Sequence, residues 1–233
     1  MVCTEKKSGS AALERIKLRG KLVIATPGDY CPMAFHSELS GGYRGFDIEM
    51  AWLLAARLGV KAEFVQSSWS FLEDDALASH FDLAVGGISR TAERAEDLTL
   101  SDGYLPVGKT ILCRKEDAAR FKSFADVDRP DVCVMYNDGG TNELFVGSHL
   151  KQAKLRHCVE NEMIPLRIIA GEADVMLTET IEAAFYTRKY SQLAAPLIKS
   201  PFNKGEFCIV FGAKAAPLAP KVNEILQKFR TDG

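Results

Sequence analysis

The chain is predicted to fold as an α/β protein of two lobes, each a mainly parallel sheet flanked by helices. Three observations predict it. Short apolar runs alternate with segments of helical apolar spacing along nearly the whole chain. The β-α-β-α-β order of the first half ends near residue 106 and then starts again. Glycine-rich or polar segments fall just after the strands, where open parallel sheets bind ligands. The boundaries that follow are 18–106 with 203–233 for the first lobe and 107–202 for the second.

In order, residues 22–25 read as a strand that breaks at Pro27-Gly28-Asp29-Tyr30. Residues 46–58 carry Phe46, Met50, Leu53, Leu54 and Leu58 at helical spacing and stop at Gly59. A strand over 61–66, a short helix near 71–79 and a strand over 81–85 complete the first run. The second run has strands at 109–114, 132–136, 155–159, 174–177 and 195–198. Its helices are 141–150, 163–170 and 181–190. A strand over 207–211 and an amphipathic helix over 219–229 close the chain. Crossings between lobes fall near 104–109 and 199–205, which would set the loops of one lobe facing those of the other across a cleft.

Composition narrows the function classes. At 233 residues the chain exceeds one typical domain and fits two of about 110 residues. With 47% apolar and 26% charged residues, two cores can be buried and disorder is not expected beyond the ends. The net charge of −2, from 29 basic and 31 acidic residues with no basic block, excludes nucleic acid as a partner. No apolar run approaches the roughly 18 residues of a membrane span. The first ten residues lack the apolar core of a signal peptide, so either the protein works where it is made or an export signal precedes this sequence. Six scattered cysteines with no Cys-x-x-Cys spacing read as free, mostly buried thiols, which favours a reducing, cytoplasmic setting.

The richest segment is Gly86-Gly87-Ile88-Ser89-Arg90-Thr91-Ala92-Glu93-Arg94. Thr91 reads as a helix N-cap and Arg94 as the third helical residue. The Gly87 amide, the Ser89 hydroxyl and the Arg94 guanidinium would then converge on a carboxylate. The alternative is a solvated arginine on an exposed helix. Asn137-Asp138-Gly139-Gly140-Thr141-Asn142-Glu143 is a second candidate cradle, with glycines freeing amides at a helix start; it also reads as a plain capping box at Thr141. Tyr30 and Trp69 follow strands and read as ring walls or as packing residues. Lys109, at the first crossing, adds a positive charge or is a solvated hinge lysine.

Glu179 and Glu182 stand three apart at a helix start and share a face. They are ordinary partners of the helix dipole, or one of them keeps its proton in an apolar cleft and acts as a general acid. No acyl-transfer motif is present among the serines and His36, His80, His149 and His157; His157 beside Cys158 reads as structural. No dinucleotide or Walker fingerprint, metal-ligand spacing or cofactor motif is present. Two facing anion cradles suit a small molecule with two carboxylates, or with one carboxylate and another acceptor; a phosphate ligand is the alternative.

From about residue 18 onward the chain resembles the type II periplasmic-binding proteins of the amino-acid-receptor kind, in Gly45-Phe46-Asp47-Ile48-Glu49-Met50-Ala51, the Gly-Ile-Ser…Glu-Arg segment and Ala173-Asp174-Val175-Met176. More narrowly it resembles the cyclohexadienyl dehydratases, the enzyme branch of that superfamily. The narrower resemblance rests on Thr26-Pro27-Gly28-Asp29-Tyr30, Ser67-Ser68-Trp69, Gly108-Lys109-Thr110, the 137–143 loop and Ile181-Glu182-Ala183. It implies conversion of prephenate to phenylpyruvate or arogenate to phenylalanine, without metal or cofactor. It implies Glu182 as proton donor, Asn137 as the residue that positions it, and Lys109 beside them. It implies carboxylates held by Arg94 and by Thr141-Asn142. Pro27, Met33 and Glu179 depart from the pattern common among those enzymes, as does the end at Gly233. The resemblance also implies a periplasmic home and allows a homo-oligomer. The alternative within the superfamily is a non-catalytic receptor of a transporter, with Arg94 gripping the α-carboxylate of an amino acid and Glu179 its α-amino group.

Overall fold

The computed structural model describes the backbone of residues 2–37 and 41–232 and the side chains of 9–37 and 41–231. The chain divides into two compact units. Unit 1 holds the chain up to Gly28, Met33–Leu105 and everything from Glu206 onward; unit 2 holds Asp29–Pro32 and Pro106–Gly205.

Unit 1 is built on a five-stranded sheet in the order Lys61–Gln66, Lys21–Thr26, Leu83–Ala84, Val210–Phe211, Thr99–Leu100. Side chains alternate across it with the two-residue period of a strand. Leu22, Ile24, Leu83 and Phe211 enter one core with the helices Val2–Arg19, Phe46–Leu58 and Ala219–Asp232. Ala25, Ala84 and Val210 enter the other, with Leu72, Phe81 and Ile88. The helix Phe46–Leu58 ends where Gly59 turns left-handed (φ 78°), so the Gly59 and Val60 amides close on the Ala56 and Ala55 carbonyls. Phe46 and Leu53, which the spacing places on the buried stripe, are instead more than half exposed; the buried face is Ile48, Ala51, Leu54, Ala55 and Leu58.

Unit 2 repeats the plan in the order Lys154–His157, Cys133–Tyr136, Val175–Glu179, Lys109–Arg114, Leu193–Ala194. In both units the first three strands are parallel and the remaining pairings are antiparallel, so the sheets are mixed. Lys109–Arg114 and Val210–Phe211 each follow a passage from one unit to the other rather than a helical crossover. Without a crossover helix nothing obliges a strand to run parallel to its neighbours. The strand expected over 195–198 is absent. Pairing stops at Ala194 because Pro196 has no amide to give a ladder and the chain turns there.

The Gly86-Gly87 loop, read from the sequence as an amide cradle for a ligand, is already filled. Both amides donate to the buried Asp47 carboxylate, at 2.8 and 2.7 Å, and the Tyr104 hydroxyl donates to it at 2.6 Å. Both glycines have positive φ (135° and 75°), which lets consecutive amides point the same way. Burial without a cation pushes Asp47 up to about 6 against the pull of these hydrogen bonds.

Among the described residues no helix is long and apolar enough to cross a membrane. Cys31, Cys113, Cys133, Cys158 and Cys208 are free, and all but Cys133 are buried; the side chain of Cys3 lies outside the described residues. Tyr104→Phe is expected to cost about 2 kcal/mol in denaturant unfolding, because a hydrogen bond to a buried charge is lost. The loss should be larger at pH 8 than at pH 5, since Asp47 is ionised only above about 6. An equal loss at both would contradict this role.

Candidate active site

The register of the unit 2 sheet builds the site. Lys109, the first residue of its strand, lies directly opposite Glu179, the last residue of Val175–Glu179. Opposed residues of an antiparallel pair project to the same face. Parity puts that pair on the face of Ile111, Val175 and Leu177, against which Val146 of the helix Thr141–His149 packs. Thr178, one residue earlier, projects to the other face. There the helix Thr180–Lys189 begins, and Glu182 lies in its first turn.

On the first face Lys109 Nζ donates to Glu179 Oε1 at 2.5 Å, to Thr141 Oγ1 at 3.1 Å and to Asn142 Oδ1. Thr141 Oγ1 donates to Glu179 Oε1 at 3.3 Å, and the Tyr30 hydroxyl donates to Glu179 Oε2 at 2.7 Å. Asn142 Nδ2 reaches Asn137 Oδ1 at 3.5 Å. All of these residues but Thr141 are at most 5% exposed. Burial, with Glu179 and Glu182 adjacent, pushes the Tyr30 hydroxyl well above its usual range and keeps it a donor.

On the second face Glu182 is wholly buried. Its Oε1 accepts from Asn161 Nδ2 at 2.8 Å and its Oε2 is bonded by the Thr178 hydroxyl. Asn161 also donates to the Asp29 carbonyl at 3.2 Å. The two donors are neutral. Burial, reinforced by Glu179 and Asp29, pushes the Glu182 carboxyl up to about 8. At neutral pH it holds its proton.

Several expected placements change. Asn137 faces Asn142, and the amide that reaches Glu182 belongs to Asn161. Gly140, not Thr141, occupies the cap position, and the Gly139 amide is taken by Glu143 at 2.7 Å, so the second cradle is partly closed from within. In unit 1, Thr91 does cap its helix through the Arg94 amide. The Arg94 side chain is buried, not solvated, and donates to Glu73 Oε1 at 3.1 Å and to the Ser89 carbonyl at 2.9 Å. The amide of Gly87 is committed to Asp47. Trp69 packs, half-buried, on the core of Leu72, Phe81 and Ile88. Thr178 and Asn161 are the site residues that sequence reading missed. The four-residue step from Thr178 to Glu182 was a readable signal; Asn161, 21 residues upstream of Glu182, left none.

Residues 22–233 match the family of bacterial extracellular solute-binding proteins, family 3. This chain belongs to that family. It has the type II periplasmic-binding-protein fold, with mixed sheets flanked by helices. It is 40% identical over 194 residues to cyclohexadienyl dehydratase of Pseudomonas aeruginosa, covering 83% of this chain and 72% of that protein. Among solved structures it is similar to an ancestral amino acid-binding protein described as a precursor of cyclohexadienyl dehydratase. That likeness has a TM-score of 0.86 and 33% identity, and covers 95% of this chain and 94% of the other. It is also similar to an ancestral cyclohexadienyl dehydratase, with a TM-score of 0.57, 43% identity and 95% and 91% covered.

Glu182→Gln tests the neutral acid directly. Below pH 4.5 the carboxyl is protonated whether the chain is folded or not. Between 4.5 and 8 the unfolded chain gives up this proton and the folded chain keeps it, so the group's contribution to stability falls as pH rises. The glutamine variant lacks that fall. Its unfolding free energy relative to the unsubstituted protein is expected to climb from pH 5 to pH 8, by up to about 1.4 kcal/mol per pH unit. A flat difference across that range would contradict the raised value.

Proposed function

We propose that this chain is a cyclohexadienyl dehydratase, converting prephenate to phenylpyruvate, arogenate to phenylalanine, or both, with loss of water and carbon dioxide. The observation that carries the reading is the Glu182 carboxyl, wholly buried and bonded by two neutral donors, Asn161 and Thr178, in a chain similar over most of its length to a protein of that name.

The reaction asks for little covalent chemistry. The ring hydroxyl of prephenate must leave as water, and for that it needs one proton. As the carbon–oxygen bond breaks, the bond to the ring carboxylate also breaks, its electron pair enters the ring and carbon dioxide departs. Prephenate dianion and one proton thus give phenylpyruvate, carbon dioxide and water. Aromatisation drives the step, so the protein supplies orientation, exclusion of water and a proton donor. In this proposal Glu182 is that donor, with Thr178 and Asn161 fixing its orientation. A carboxyl that titrates at about 8 is still protonated at neutral pH and close enough to it to give the proton up.

Lys109, with Thr141, Asn142 and Asn137, is assigned to a substrate carboxylate, and Tyr30 to the wall of the site. Arg94, in unit 1, is assigned separately to binding a carboxylate, which would replace its half-exposed partner Glu73. Ser89, Gly87 and Trp69 support that loop rather than touch substrate. Glu179 is assigned to hold the Lys109 ammonium in place.

A second reading, a non-catalytic amino-acid receptor, draws support from the high structural similarity to an ancestral amino acid-binding protein. A receptor has no chemical use for a neutral buried acid. Purified protein given prephenate is expected to form phenylpyruvate, followed by its ultraviolet absorbance in alkali. Glu182→Gln is expected to lower kcat roughly 100- to 10,000-fold. No phenylpyruvate from the unsubstituted protein, with stabilisation by an amino acid, would favour the receptor.

A further inference from the structure

The charges of the unit 2 site separate two ligand classes that differ in one group: a 2-oxo acid and the 2-amino acid of the same skeleton. An ammonium taken from water into a buried site needs an anion that is free to receive it. Glu179 is the acid at hand, and both of its oxygens are occupied. Oε1 accepts from Lys109 and Thr141, and Oε2 accepts from Tyr30. Lys109 and Glu179 are each only 4% exposed, so an incoming ammonium has to displace a cation that has no water to retreat to. The displaced Lys109 keeps only the neutral oxygens of Thr141 and Asn142. Glu182 offers no charge at neutral pH, being protonated. Asp29 is the other carboxylate near Glu182 and has contacts of its own. A 2-oxo group, by contrast, brings no charge: it needs only to take over one hydrogen bond that Lys109 now gives to a neutral oxygen of Thr141 or Asn142, and the buried ion pair stays intact.

We infer that this site takes a 2-oxo carboxylate in preference to the corresponding 2-amino carboxylate, and that the Lys109–Glu179 pair sets the preference by using up the carboxylate an ammonium would need. The inference rests on the dehydratase reading for the carbon skeleton and deepens it: prephenate is favoured over arogenate.

The test pairs binding with turnover on the full chain. Calorimetric titration is expected to show phenylpyruvate binding about tenfold or more tightly than L-phenylalanine, and kcat/KM to favour prephenate over arogenate by a similar factor, chiefly through KM. Lys109→Met releases the Glu179 carboxylate and is expected to move the binding ratio towards phenylalanine about tenfold. Tyr30→Phe, a milder change that removes one hydrogen bond from Glu179, is expected to move it the same way by a smaller factor. Equal or tighter binding of phenylalanine by the unsubstituted protein would overturn the inference. So would a ratio unmoved in both variants, or phenylalanine binding that Asp29→Asn abolishes. A binding ratio that holds while neither prephenate nor arogenate is turned over would support the oxo-acid preference and defeat the dehydratase reading instead.

Discussion

Two glutamates three residues apart are buried at one strand-to-helix junction, and they are treated oppositely. Glu179, the last residue of its strand, meets Lys109 across the antiparallel register and is held as a carboxylate. Glu182, a turn further on, meets a hydroxyl and an amide and has no cation among its partners. A carboxylate buried against neutral donors does not recover its lost hydration, so the proton stays. Strand parity is the device that keeps them apart. Position 179 projects to the face of the helix Thr141–His149, and position 178 projects to the face where Glu182 turns back. A register slip of one residue would set the lysine opposite Thr178 or Thr180, neither of them an acid.

Unit 1 shows the same economy with a different outcome. Asp47 is buried with no cation too, but two loop amides and a tyrosine hydroxyl face it, so its value rises only to about 6. Its carboxylate spends the amides of Gly86 and Gly87 on fixing the loop that leads to Ser89 and Arg94. The loop is shaped from inside the unit, and the guanidinium of Arg94 is held by Glu73 and the Ser89 carbonyl.

The fold was legible wherever a local pattern was sufficient to specify it. The helix Phe46–Leu58 and the strands Lys61–Gln66 and Lys109–Arg114 follow from apolar spacing and a terminating glycine or polar break. What local pattern does not carry is pairing. The antiparallel strands, the two-residue strand Thr99–Leu100 and the shift from 195–198 to Leu193–Ala194 are set by neighbours distant in sequence. The site divides in the same way. Lys109, Thr141, Asn142, Glu179 and Glu182 carry recognisable chemistry at strand ends or just beyond them, and Tyr30 joins them in unit 2. Asn161 is one amide in an unremarkable short turn, and its role exists only through a contact 21 residues away in sequence. The amide cradle misled because sequence shows that amides are free of side chains in the way, not that Asp47 has already claimed them.

The account depends on the charge state of one side chain, and that state is measurable. Infrared difference spectra between the unsubstituted protein and Glu182→Gln isolate the carbonyl stretch of the Glu182 carboxylic acid. The band is expected to be present at pH 7 and to vanish with a midpoint near pH 8. A band already gone at pH 6, with a midpoint near the ordinary glutamate value of 4.5, would show an ionised Glu182 and contradict the account.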